Sequence, residues 1–326
     1  MNGEATINYE LGGLGAGPRI VTIGTFDGVH RGHRELLARA VDRARELGLA
    51  SLALTFEPVP ASVLRPDRFQ GRICSPSEKL AQLATSGVDE IAVIPFDLAL
   101  SRQSPEEFMA QVAARTHLRE LWVGEAFALG KDRAGDVTRL REIGRGLGFD
   151  VIAVPRVTSD GEIISSSAIR AAVIAGDAAR VRRFLGRPFR VTGEVIHGAH
   201  LGRTIGYPTA NVAPPEWLVP LADGIYASFA MLPDGAGPRP AMTYVGTRPT
   251  VNSGARLVET HLFDFSADLY GEVVEVEICE RLRGDAIFSG IDELIAQLRR
   301  DEAAARAFLA TDARDSSHFV STIDRL

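Results

Sequence analysis

His30 and His33 lie three residues apart, with Gly32 between them, in the run Ile23-Gly24-Thr25-Phe26-Asp27-Gly28-Val29-His30-Arg31-Gly32-His33. An apolar run, Ile20 to Ile23, leads into this stretch, and an amphipathic helix pattern, Arg34 to Leu47, follows it. The histidines therefore fall where a strand turns into a helix. Amides at a helix N-terminus point outward and the helix dipole favours negative charge there, so the junction suits phosphate. Glycine lets the backbone come close to a ligand. Two imidazoles in this position can donate hydrogen bonds to phosphate oxygens as charge builds in a transition state. No protein nucleophile is needed if an acceptor phosphate attacks directly. A zinc centre would want further ligands at readable spacing, and His117, His197, His200, His261 and His318 are scattered. The plain alternative is a pair of ordinary core or surface histidines.

Two further constellations suit polyphosphate. Ser165-Ser166-Ser167-Ala168-Ile169-Arg170 opens a helix pattern, and hydroxyls and amides at a helix start, joined by a guanidinium, hold phosphate oxygens well. An ordinary N-cap is the alternative. The run 193–211 has glycine at 198, 202 and 206 and ends in Pro208-Thr209-Ala210-Asn211. Such a loop can wrap a ligand closely, and a Thr hydroxyl with an Asn amide oxygen suits Mg2+ carried by ATP phosphates. It is not a P-loop of the usual kind, because Gly-x-x-x-x-Gly-Lys-Ser/Thr is absent. On composition alone, a plain loop between strands stays equally open.

The elements that must position these residues alternate at first. Strands are expected over 20–24, 51–56, 90–95, 120–123 and 150–154, and helices over 32–47, 75–86, 105–116 and 137–147, with Ser104 as a cap. Short apolar strands alternating with helices predict a parallel sheet covered on both faces. Ligands in such sheets bind beyond the C-terminal strand ends, where Gly24–His33, Glu57–Pro60 and Gly124–Gly130 fall. Beyond Phe184–Phe189 the pattern changes to β-rich segments, 190–196, 224–229, 241–246, 257–264 and 272–278, separated by Gly and Pro turns. These predict a compact antiparallel barrel or sandwich. A final amphipathic helix over 291–309, with Ile291, Leu294, Ile295 and Leu298, would pack on it. The expected divisions are a flexible lead-in over 1–17, an α/β domain over 18–184 and a β domain over 185–326. The glycines from Gly13 to Gly17 precede the first strand, so they do not read as a dinucleotide loop.

At 326 residues, two domains are the better expectation. A net charge of −6 argues against a general nucleic-acid binder, and no apolar run reaches membrane-spanning length. Cys74 and Cys279, far apart in sequence, read as buried or semi-buried thiols rather than a zinc cage or a disulfide framework. The N-terminus lacks the basic and apolar regions of a signal peptide. A cytoplasmic protein, monomeric or weakly homo-oligomeric, is expected.

Gly24-x-Phe26-Asp27-x-x-His30-x-Gly32-His33 resembles the HxGH signature of the nucleotidyltransferase superfamily. In its extended form it resembles the flavin adenylyltransferase half of bacterial bifunctional riboflavin kinase/FAD synthetases. Ser165-Ser166-Ser167-x-Ile169-Arg170 is similar to that family's second signature, which holds nucleotide phosphates. The 193–211 run resembles the riboflavin kinase signature almost in full. Gly224–Ala227, Val245–Thr250, Val258–Phe265, Asp268–Gly271 and Arg281–Arg283 match in order after it. The resemblance implies a Rossmann-like HxGH domain followed by a six-stranded flavokinase barrel. It implies nucleotide contacts at Gly24, Phe26, Asp27, Gly32, Ser165, Ser166, Ser167, Gly198, Gly202, Arg203, Gly206 and Pro208. It further implies that His30, His33 and Arg170 serve adenylyl transfer and that Thr209 and Asn211 hold Mg2+. Glu259 would accept the proton of the ribityl hydroxyl as it attacks the γ-phosphate of ATP. His261 is expected to be structural, and Asp264 and Asp268 to serve turns. Riboflavin, FMN and ATP are the implied small-molecule partners.

The chain departs from the family pattern at two places. Val59 and Ala126 stand where the resemblance leads one to expect polar side chains, and neither can form a side-chain hydrogen bond. The leading expectation is an enzyme that makes FMN from riboflavin and FAD from FMN. A second is a riboflavin kinase whose first domain is impaired or retargeted. A third is a non-catalytic flavin-binding protein, against which the retained set of acid, base and phosphate-binding residues argues.

Overall fold

A computed structural model describes residues 5–198, 201–247 and 256–312. The chain packs as two compact units, residues 1–70 with 74–166, and 71–73 with 167–326. In chain order the first unit holds β1 (Thr6–Asn8), β2 (Arg19–Ile23), α1 (Arg31–Leu47), β3 (Ala50–Glu57), α2 (Pro60–Leu64), α3 (Pro76–Ala84), β4 (Glu90–Pro95), α4 (Pro105–Thr116) and β5 (Leu118–Gly124). It continues with a small hairpin of β6 (Ala128–Leu129) and β7 (Gly135–Asp136), then α5 (Val137–Leu147) and β8 (Asp150–Val154). A second hairpin, β9 (Thr158–Ser159) and β10 (Glu162–Ile163), closes it. The six-stranded sheet runs β1-β4-β3-β2-β5-β8, with every neighbour parallel.

Burial explains the strand composition. All five residues of β2 are buried, so it reads as an apolar run rather than an alternation. One face packs Ile23, Leu52 and Leu54 against Phe108, Met109 and Val112 of α4 and Leu140 and Ile143 of α5. The other packs Ala53, Ile91 and Val93 against Leu37 and Val41 of α1 and Leu83 of α3. Local signals fix the helix starts. Ser104 Oγ accepts from Glu107 N at 3.1 Å while Glu107 Oε2 accepts from Ser104 N at 2.8 Å, closing a capping box around Pro105.

The lead-in departs from expectation. Thr6–Asn8 pair in parallel with Glu90–Ala92 as an edge strand. Arg19, 2% exposed, donates from Nη2 to Gly15 O at 2.6 Å and from Nη1 to Gly17 O at 2.8 Å, and it pairs with Glu90. The glycines at 15 and 17 thus present carbonyls to a buried guanidinium. Such a side-chain-to-backbone clamp leaves no periodicity in sequence.

The second unit begins with most of α6 (Ser166–Ala175) and continues with α7 (Ala178–Leu185), β11 (Phe189–Ile196), α8 (Leu201–Thr204), β12 (Ala210–Val212), β13 (Gly224–Met231), β14 (Arg239–Thr247), β15 (Arg256–Leu262), β16 (Val273–Arg283) and α9 (Ile291–Asp312). The six strands close as β11-β12-β15-β14-β13-β16, which makes the expected barrel or sandwich a barrel. Closure comes from β11, which pairs with β16 over Phe189–Glu194 and with β12 at its other end. The sequence suggests a break near residue 185, but α6 and α7 group with the barrel. Ala222 N donates to Val173 O at 3.3 Å, and Arg281 Nη1 to Ala175 O at 3.4 Å.

Buried hydroxyls of Ser228, Thr243 and Thr260 form a ladder across β13, β14 and β15 at 2.7 and 3.0 Å. The alternate positions Ile225, Ala227, Phe229, Met242 and Cys279 pack against Ala305 and Leu309 of α9. Ile291, expected on that apolar face, is 52% exposed. The helix is anchored further along, where buried Asp301 takes the Arg283 guanidinium at 2.8 Å.

Candidate active sites

β2 delivers the chain into the loop 24–30 at the C-terminal edge of the sheet. Phe26 and Val29 there adopt φ of 51° and 37°, and both are buried. Non-glycine residues hold this conformation at a cost of about 1–3 kcal/mol each, so the surroundings over-determine the loop. Asp27 is buried beside them. His30 caps α1, its Nδ1 accepting from His33 N at 3.2 Å, which places the proton of the neutral ring on Nε2. The His30 and His33 rings stack with centroids 3.6 Å apart, and Phe26 meets His33 edge-on at 5.2 Å. A β-carbon at Gly32 would lie 3.2 Å from the His30 ring, so the glycine is what admits the stack. Burial, and secondly the neighbouring His30, hold the His33 imidazole well below its ordinary value. His33 Nδ1 is buried with no partner among the described residues.

The second signature meets this loop directly. Ser166 Oγ donates to Asp27 O at 3.0 Å, across 139 residues. Ser165 is half-buried and Ser167 exposed at the start of α6. Arg170 lies one turn further along and donates from Nε to Gly71 O at 2.7 Å, both residues belonging to the second unit. Val59 is 1% exposed, and its carbonyl accepts from Ser62 N at 3.0 Å. It serves the core where a polar side chain was expected. Ala126 is exposed, and its carbonyl accepts from Arg133 Nη2 at 3.4 Å.

Sequence reasoning missed the brace beneath this site. Cys74 Sγ accepts from Gly28 N at 3.3 Å. Lys79 of α3, fully buried, donates to Phe56 O at 2.8 Å and Glu57 Oε2 at 2.9 Å, at the end of β3. Gln82, one turn on, accepts from Arg34 of α1 at 2.7 Å. The segment 74–82 thus touches the loop 24–30, the end of β3 and the start of α1. A lysine next to Leu80 and Leu83 is the one sequence signal for it, and it reads as an ordinary helix surface.

The barrel site is assembled by register. Asn211 of β12 stands opposite Glu259 of β15, and Glu259 stands opposite Tyr244 of β14. Opposed residues of antiparallel neighbours share a face. Asn211 and Glu259 are only 8% and 9% exposed, so a charge developing between them meets little water. A cavity of about 180 Å3 is lined there by Thr209, Tyr244, Glu259 and His261, together with Ile225 and Met242 of the barrel and Leu294 and Leu298 of α9. His261 Nδ1 lies 2.7 Å from Pro208 O. Tyr207 packs edge-on against His261, and burial with Glu302 pushes its phenol up.

The glycine loop sits over this row. A β-carbon at Gly198 would fall 2.3 Å from Asn211 Nδ2, so the backbone rests directly on the carboxamide. Gly202 lines the cavity, and its carbonyl accepts from Tyr207 N at 2.8 Å. Arg203, Gly206 and Pro208 are exposed around the turn. Asp268 serves a turn, accepting from Tyr270 N at 3.1 Å, whereas Asp264 pairs with Arg306 of α9 at 2.7 Å. His200, Arg248, Pro249, Thr250 and His318 lie outside the described residues. Among the described residues no group of three His, Cys, Asp or Glu side chains could cage a metal. A hydroxyl and a carboxamide oxygen fit Mg2+, which keeps phosphate and water ligands rather than a full protein cage.

Two family models match the chain, FAD synthetase over residues 16–168 and riboflavin kinase over 185–309. The bifunctional riboflavin kinase/FMN adenylyltransferase of Escherichia coli (strain K12) is 38% identical over 291 residues, covering 89% of this chain and 92% of that one. The protein of the same name from Haemophilus influenzae is 36% identical over 289 residues, covering 88% and 93%. A crystal structure described as a macrolide-efflux protein from Streptococcus pneumoniae aligns with TM-score 0.82 and 30% identity. It covers 93% of this chain and 98% of that one.

Proposed function

We infer the working of this chain from its membership: it belongs to the bifunctional riboflavin kinase/FMN adenylyltransferase family, and it carries both activities. It phosphorylates riboflavin to FMN with ATP, and it adenylylates FMN to FAD with release of pyrophosphate. The kinase-only alternative is not favoured, because the first half matches the FAD synthetase model throughout.

We assign the kinase step to the barrel cavity, on the row Asn211–Glu259–Tyr244 with Thr209 beside it. The ribityl hydroxyl attacks the γ-phosphorus, the bond to the ADP oxygen breaks, and Glu259 takes the hydroxyl proton. Phosphoryl transfer needs little beyond such positioning and charge stabilisation. Thr209 and Asn211 would hold Mg2+, which when bound neutralises phosphate charge. The glycines at 198, 202 and 206, with Arg203 and Pro208, would follow the nucleotide.

We assign adenylyl transfer to the loop 24–33. An FMN phosphate oxygen attacks the α-phosphorus of ATP and pyrophosphate leaves. His30 and His33 donate hydrogen bonds to the phosphate oxygens as charge builds. Ser165, Ser166, Ser167 and Arg170 would hold the departing phosphates, and Gly24, Phe26, Asp27 and Gly32 shape the nucleotide pocket. The neutral His33 and the Nε2–H of His30 suit hydrogen-bond donation. We place this work in the cytoplasm, where ATP is available. Among the described residues no helix is long and apolar enough to cross a membrane.

The test is to incubate the purified protein with FMN, ATP and Mg2+, and separately with riboflavin, and separate the flavins by chromatography. FAD from FMN and FMN from riboflavin are expected. FMN formation without any FAD would overturn the adenylyl-transfer assignment.

A further inference from the structure

A groove of about 500 Å3 opens in the first unit at the end of the sheet opposite the loop 24–33. It lies at the start of β5 and β8, where Arg119 and Asp150 stand, and beside the last turns of α5, which supply Arg141 and Arg145. Three guanidinium groups therefore line one groove in a chain of net charge −6.

Nearby carboxylates offset these arginines only in part, Glu120 feeling the charge of Arg119 from a distance. Glu120 is taken by Arg43 at 3.0 Å and Glu142 by Arg139 at 2.7 Å. Among the described residues, none of Arg119, Arg141 and Arg145 forms an ion pair, and Arg141 Nε reaches only Val151 O at 3.5 Å. The end of α5 is closed by backbone, Gly148 N and Phe149 N bonding Gly144 O at 2.8 and 3.0 Å, and Arg145 in its last turn also meets the negative end of the helix dipole. Asp150 is the single carboxylate among the lining residues. Three like charges around one groove repel, and a multivalent anion relieves that repulsion. Guanidinium forks match phosphate oxygens bidentately. Ligands of the parallel sheet's own chemistry bind beyond the opposite strand ends, so this groove stands apart from the adenylyl-transfer loop.

We propose that the groove formed by Arg119, Arg141 and Arg145 is a second binding site for a polyphosphate anion, free or carried by a nucleotide. Calorimetric titration of the full chain with inorganic tripolyphosphate tests it. Wild type should take up one more equivalent than R141S/R145S, whose affinity at this site falls by about a hundredfold. FMN and FAD formation at saturating substrate should not change in that variant. D150N, which removes the opposing charge, should bind about threefold tighter. ATP entering the extra site marks a nucleotide as the source, and tripolyphosphate entering while ATP does not marks a free polyphosphate. Equal site numbers in wild type and R141S/R145S overturn the proposal, and so does a D150N chain that binds no tighter.

Discussion

The proposed adenylyl-transfer centre takes both imidazoles from one helix start, His30 as the cap and His33 one turn inside it. The proposed kinase centre draws Thr209, Asn211, Tyr244 and Glu259 from a loop and three strands. In the first, a single local motif sets the geometry, and distant parts of the chain brace it. In the second, Thr209 and Asn211 share one short stretch, but strand register sets the geometry that brings them to Glu259 and Tyr244. Damage should therefore spread differently. A local motif fails when its own atoms or its brace are altered, whereas a register-built site tolerates local change but depends on the whole ladder.

The largest effect should come from the charge at the centre of the ladder. Glu259→Gln keeps the strand pairing and removes the proton acceptor. FMN formation from riboflavin should fall by about 10²–10⁴-fold, with FAD formation from FMN unchanged. A parallel loss in both assays would break the separation of the two centres. The mirror experiment is His30→Asn, which retains an acceptor for His33 N and loses the imidazole. FAD formation should fall by about 10²–10³-fold while riboflavin phosphorylation persists, read in the same paired assays.

This contrast also explains what could be read from the chain before its structure. The histidine motif, the capped helix 105–116 and the strand 90–95 are local statements, and local chemistry predicted them at their observed bounds or within a residue or two. The barrel was legible through the family resemblance, whereas the strand pattern alone left barrel or sandwich open, because closure rests on Phe189–Glu194 finding Val273–Ile278 across the whole second unit. Tyr244 went unnoticed for the same reason: only the register with Glu259 gives it a place in the site. Arg19 and Lys79 were illegible in another way. Each is a buried cation whose partners are mainly backbone carbonyls and one carboxylate, and no spacing rule marks such a residue. Ile291 erred in the opposite sense, since an apolar stripe does not say where a helix first touches its support.

The brace under the local motif gives a smaller, sharper test. Lys79→Met retains the aliphatic stem and leaves Phe56 O and Glu57 without the ammonium. The first unit should lose about 1–3 kcal/mol, measured by denaturant unfolding, with the barrel transition unmoved. The KM for ATP in FAD formation should rise while riboflavin phosphorylation holds. An unchanged KM with the expected stability loss would reduce Lys79 to a core residue.

The smallest effect concerns protons. Burial and the adjacent His30 depress the His33 pKa in the folded chain, while the unfolded chain titrates near the ordinary histidine value of 6.5. Between those two values the unfolded state binds the extra proton, so stability rises with pH there and is lost as the pH falls below about 6.5. Above that, His33 is neutral in both states and contributes no pH dependence. His33→Asn removes the titration, so its melting temperature should fall less than that of wild type between pH 7.5 and pH 5.5. The Glu259→Gln chain, altered in the register-built site, should track wild type over the same range. Identical slopes in wild type and His33→Asn would mean that the ring accepts its proton without cost. The stacked pair would then be an open surface arrangement rather than a desolvated one.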